Sequence, residues 1–174
     1  MRLTTTLATP VLALLFILAP ARADLIGSHV TGTLYFPNLS TVFAGPVGPV
    51  VVGPGIEFPT LAFDGTVDIS GSQIIWTATL PETYGSGAFN GFDLMFSGAP
   101  TITNVTVDAA TTLSPVSFSF TGNDVKFNLA GLTAAAGQKT ILDVQTSASA
   151  VPEPATGVMT LLVLAGFVAC RVRR

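Results

Sequence analysis

Histidine occurs once in this chain, at His29, and cysteine once, at Cys170. Zinc sites that need two or three imidazoles are thereby excluded, as is a Cys-His nucleophilic pair in the body of the chain. With a single cysteine there is no intrachain disulfide, so the fold must be held by its core. Arginine is missing between Asp24 and Ala150, where Lys126 and Lys139 are the only basic side chains. The same stretch carries Asp24, Glu57, Asp64, Asp68, Glu82, Asp93, Asp108, Asp124 and Asp143, nine acids against two lysines, a formal charge of −7. Such a surface repels phosphate backbones and lacks the contacts that release counterions, which argues against nucleic acid as a partner. No helical repeat longer than a turn or two runs through this middle stretch, and no Gly-x-Ser-x-Gly elbow accompanies its serines.

Long apolar runs are confined to the two ends. The first follows Met1-Arg2, extends from Pro10 to Ala19, and leads to Pro20-Ala21-Arg22-Ala23. A short positive start, an apolar run and a small-x-small end at Ala21 and Ala23 are the three parts of a secretory signal. Cleavage by signal peptidase before Asp24 is expected. The second run spans Ala155 to Cys170, between Val151-Pro152-Glu153-Pro154 and a basic end at Arg171, Arg173 and Arg174. Proline at 152 and 154 favours an extended, accessible segment. As a helix, the run after it would rise about 24 Å, somewhat less than the hydrocarbon thickness, and could insert with local thinning and snorkelling arginines. The positive-inside rule keeps the three arginines cytoplasmic and leaves the middle of the chain outside.

Pro152-Glu153-Pro154, an apolar span with an internal glycine and a terminal arginine cluster, in that order, resemble the PEP-CTERM sorting signal of Gram-negative bacteria. The resemblance implies recognition by an exosortase at Pro152, Glu153 and Pro154, removal of the span, and release or transfer of the ectodomain. The catalytic cysteine in that reaction belongs to the exosortase, and Cys170 reads as a small hydrophobe within the span. The stretch from Gly85 to Leu132 is similar to ectodomains found ahead of other such tails. The expected organisation is therefore a signal peptide over 1–23, an all-β ectodomain over 24–150 and a sorting signal with a transmembrane helix over 151–174. Expected localisation is an inner-membrane intermediate followed by the cell surface or extracellular space.

The ectodomain alternates with period two, with Thr, Val, Ile and Phe as the main carriers and Gly, Pro, Asn and Asp as punctuation. Strands are expected over 29–36, 65–70, 73–80, 91–96, 101–108 and 139–146. Ile74, Trp76, Ala78 and Leu80 should share a face. The clearest unit is a hairpin from Val116 to Leu129 around a Gly122-Asn123-Asp124 loop. Its alternation places Val116, Phe118 and Phe120 on one inward face and Val125, Phe127 and Leu129 on another. The Gly- and Pro-rich region from Val42 to Pro59 reads as an irregular loop or an edge strand. Eight or so short strands suggest a single β-sandwich or jelly-roll.

Constellations for chemistry are sparse. A carboxylate pair for glycoside hydrolysis could draw on Asp64, Asp68, Asp93 or Glu82, and calcium ligands on Asn123 with Asp124 or Asp64 with Asp68. Neither set matches a metal-binding loop, and no cofactor or metal is assigned. The expected function is a non-enzymatic structural or adhesive surface protein in an exopolysaccharide or biofilm setting, with extracellular polysaccharide as a partner. The alternatives are a glycan- or ice-binding module and a carbohydrate-active enzyme. No regular Thr-x-Thr array is present for ice.

Overall fold

A computed structural model describes residues 24–61 and 65–147. The expected sites at Ala21, Ala23, Asp64, the Pro152-Glu153-Pro154 motif, the apolar span and Arg171, Arg173 and Arg174 lie outside the described residues. Within them there is no helix. The strands are β1 (His29–Tyr35), β2 (Val42–Val51), β3 (Ile56–Leu61), β4 (Gly65–Ile69), β5 (Gln73–Ala78), β6 (Glu82–Thr83), β7 (Gly91–Ser97), β8 (Ile102–Val107), β9 (Ser117–Phe120), β10 (Asp124–Asn128), β11 (Thr133–Ala134) and β12 (Lys139–Thr146).

Two five-stranded antiparallel sheets form, with orders β2-β1-β7-β10-β9 and β3-β4-β5-β12-β8, and β6 pairs with β11 in a small ribbon. Alternation explains the assembly. Val30 and Leu34 of β1, Phe92, Leu94 and Phe96 of β7, and Val125 and Phe127 of β10 are buried, as are Val67, Ile69, Ile74 and Trp76 of the other sheet. All belong to one core cluster. The Trp76 and Phe92 rings meet across the sheets with centroids 5.9 Å apart, and Phe92 meets Phe127 at 5.3 Å. Each fully buried ring or aliphatic chain contributes about 1.5–3 kcal/mol relative to exposure, so the shared core is what holds the sheets face to face without a disulfide. The layout is consistent with a β-sandwich.

The region from Val42 to Pro59 takes the edge-strand alternative and also contains the start of β3. β2 and β3 are both edge strands, so the missing N–H groups of Pro46, Pro49 and Pro59 interrupt no central ladder. Gly45 and Gly48 have φ of 95° and 110°, and the β1–β2 register shifts repeatedly where they kink the strand. The turn between β1 and β2 is organised by Asn38, whose Oδ1 accepts hydrogen bonds from Ser40 N at 2.9 Å and Ser40 Oγ at 2.6 Å.

The expected β9–β10 hairpin forms, with Phe127 opposite Phe118 and Val125 opposite Phe120, and Asp124, expected in its loop, opens β10. Its burial corrects the expectation. Val125, Phe127 and Leu129 are fully buried, but Phe118, Phe120 and Val116 are 39%, 36% and 59% exposed. β9 is the last strand of its sheet and has a neighbour on one side only, so its rings are half covered. Leu80 likewise lies past the end of β5 and is exposed, unlike Ile74, Trp76 and Ala78.

Candidate functional site

Asp68 and Asp93, weighed as partners for hydrolysis, do not converge. Asp68 sits between buried Val67 and Ile69 on β4, and Asp93 between buried Phe92 and Leu94 on β7. Alternation therefore puts them on the outer faces of different sheets, with the core between. Glu57, which the sequence reading did not single out, is structural. Its Oε1 accepts from Gly53 N at 2.9 Å and its Oε2 from Ile69 N at 2.7 Å, tying the β2–β3 connection to β4.

On the outer face of the first sheet, Lys126 stands directly across from Asp93 in the β7–β10 ladder. Its Nζ lies 3.4 Å from Asp93 Oδ2 and donates to Asp124 Oδ2. Burial pushes the Asp93 carboxyl above its ordinary value, against the pull of Lys126 and with added repulsion from Asp124. Burial alone would lower Lys126. The hydrogen bond to Asp124 and the attraction of both carboxylates outweigh it, and the ammonium is held above its ordinary value. Asp93 Oδ1 and Asp124 Oδ1 are buried with no hydrogen-bond partner. Asp124, a candidate calcium ligand from sequence, is thus engaged by a lysine, and Asn123 Oδ1 accepts from Thr121 Oγ1 at 3.3 Å. No group of three or more metal-ligating side chains occurs among the described residues.

A cleft of about 460 Å³ opens where the end of β1, the start of β2 and the chain around β6 meet. Leu34, Phe36, Phe43, Leu80 and Tyr84 supply its apolar wall, and Glu82, Thr83 and Asn90 its polar groups. Phe36 and Phe43 pack edge to face with centroids 6.2 Å apart. Gly85 leaves room for this pair, since a Cβ there would come within 3.0 Å of the Phe36 ring. The floor is fixed by hydrogen bonds. Asn90 Nδ2 donates to Gly85 O at 3.1 Å, Asn90 N donates to Asn128 Oδ1 at 2.9 Å, and Tyr84 N donates to Leu132 O at 2.9 Å.

No family model, curated protein or solved structure matches this chain.

The position of the cleft follows from the topology. Asp24, Gly71, Ser72, Thr103 and Thr146 line a second, smaller cavity of about 270 Å³, so the first described residue and the end of β12 lie together. Leu25 N donates to Gly71 O at 3.0 Å, Val144 N to Ser72 O at 2.8 Å and Ser147 N to Thr101 O at 2.7 Å. That is the Gln73 end of β5. Leu80 and Glu82 of the aromatic cleft follow the other end of β5, and Phe36 follows the far end of β1. A six-residue strand spans about 20 Å, which separates residues 24 and 147 from the cleft by about the length of the sheet. Of the residues weighed from sequence, Glu82 is the one in the cleft, and His29 is exposed at the start of β1. The aromatic wall was missed because Phe36, Phe43 and Tyr84 come from separate strands and turns with no common period.

Proposed function

We propose that this chain is an exported, exosortase-sorted surface or extracellular-matrix protein of a Gram-negative bacterium, with a structural or adhesive role among exopolysaccharide. The tail motif motivates the sorting step, and one geometric observation favours display. Residues 24 and 147, the first and last described, lie at one end of the ectodomain, and the aromatic cleft lies at the other. A domain held through its C-terminal segment would present that cleft away from the membrane. Cleavage before Asp24 would leave Leu25, which is fully buried, in the core. The separation of Asp68 from Asp93 favours a binding role over glycoside hydrolysis, which needs two carboxyl groups about 5–10 Å apart across a cleft. A concave aromatic wall suits a glycan better than ice.

Replacing Pro152, Glu153 and Pro154 together by alanine tests the sorting step. The wild-type protein is expected outside the inner membrane. The triple variant, and the wild type in cells lacking exosortase, should be retained there as a precursor larger by about the mass of the tail. Equal release in all three cases, read by fractionation with an antibody to the ectodomain, would rule out recognition of the motif.

A further inference from the structure

We propose that the aromatic cleft is a subsite for a glycan carrying free amino groups, a glucosamine-type chain, in preference to N-acetylated or uronate-bearing chains; this deepens the adhesive reading above and rests on it. Sugar rings present C–H faces that pack on aromatic side chains, and here the rings are available. Phe43 is 66% exposed and Leu80 59% exposed at the rim, and Phe36 holds Phe43 edge to face from below. Charge decides which sugar. Glu82 is the only ionisable carboxylate among the lining residues, no lysine or arginine lines the cleft, and Glu82 forms no ion pair among the described residues. A protonated amine near Glu82 gains a charge-assisted hydrogen bond and the favourable face of a neighbouring ring. A uronate in the same place would oppose Glu82. The excess of nine acids over two lysines from 24 to 150 extends the same preference to longer range. N-acetylation removes the cation and leaves only the stacking. The β6–β11 ribbon, tied by Thr83 and Thr133 hydroxyls 3.2 Å apart, keeps Glu82 at the cleft mouth.

Titration calorimetry on the mature secreted protein with hexamers of glucosamine, N-acetylglucosamine and guluronate tests the proposal. The glucosamine hexamer should bind about tenfold more tightly than its N-acetylated counterpart, the fold-change expected from one charge-assisted contact. The guluronate hexamer should not bind. Glu82→Gln should bring glucosamine down to the N-acetylglucosamine level, and Phe43→Ala should weaken both. Asp68→Asn removes the same charge from the outer face of the other sheet and should change nothing. Equal affinity for the two hexosamines would overturn the amine preference and leave the polysaccharide reading standing. Equal weakening by Asp68→Asn and Glu82→Gln would replace the cleft by diffuse attraction and overturn the site. Failure of every hexamer to bind would remove the cleft and the adhesive role together, leaving the sorting step to stand or fall by fractionation.

Discussion

Phe118 and Phe127 face each other across the β9–β10 ladder, yet Phe127 is fully buried and Phe118 is 39% exposed. Truncating each to alanine separates burial from pairing. Phe127→Ala removes a ring that packs on Phe92 with centroids 5.3 Å apart and leaves a cavity, so it should cost about 3–5 kcal/mol. Phe118→Ala removes a half-wet ring whose space water can fill. What it loses is a cross-strand pair of about 0.2–1 kcal/mol and roughly half of a full ring's burial, about 1–2.5 kcal/mol in all. Domains of this size unfold with about 5–15 kcal/mol in hand, and each kcal/mol moves the midpoint by about 3–5 °C. Thermal unfolding of the secreted protein by circular dichroism should then show a drop of at least about 10 °C for Phe127→Ala and a clearly smaller drop for Phe118→Ala. If Phe127→Ala fails to accumulate, Phe127→Leu keeps most of the volume and should still lose more than Phe118→Leu. Equal losses at the two positions would mean that β9 is covered as fully as β10, and the edge assignment would be wrong.

Asp93→Asn probes the charged cluster. Because burial raises the Asp93 carboxyl above 3.8, its neutral form is the one the fold favours. Its contribution is complete below that ordinary value and is lost as pH rises through the higher folded value. The variant should therefore match the wild type within about 1 kcal/mol at pH 7 and gain on it between acid and neutral pH. Unfolding midpoints of both proteins from pH 3.5 to 7 check this, and a growing deficit in the variant would contradict it. Gly48→Ala should cost about 1–3 kcal/mol, because φ is 110° and the new Cβ would lie 2.7 Å from Val30 O. Gly53→Ala, with open space around it, should stay within about 0.5 kcal/mol in urea unfolding.

Period-two alternation was enough to place six strands to within a residue or two, because alternation reports which side of a pleated chain meets the core. β12 is read in full at 139–146, since both its ends coincide with a change from polar to alternating sequence. β3, β6 and β11 were not legible. β6 and β11 are two residues each, too short to carry a period, and β3 begins inside a proline- and glycine-rich stretch whose composition signals only an edge.

Local pattern and the residue inventory were enough for the all-β class, the acidic character of the domain, the existence of the β9–β10 hairpin and the exclusion of a Cys-His pair and multi-histidine chemistry from the domain, because each depends on neighbouring residues or on which residue types exist. Tertiary structure alone decided which faces are covered. Alternation says that Phe118 and Phe120 share a side, but only the order of strands makes β9 an edge and leaves that side half wet. It also decided that Asp68 and Asp93 lie on opposite outer faces and that Phe36, Phe43 and the segment carrying Glu82 and Tyr84, three separate stretches of chain, meet in one cleft at the end of the fold opposite residues 24 and 147. Such meetings depend on long-range pairing, which no window of sequence contains.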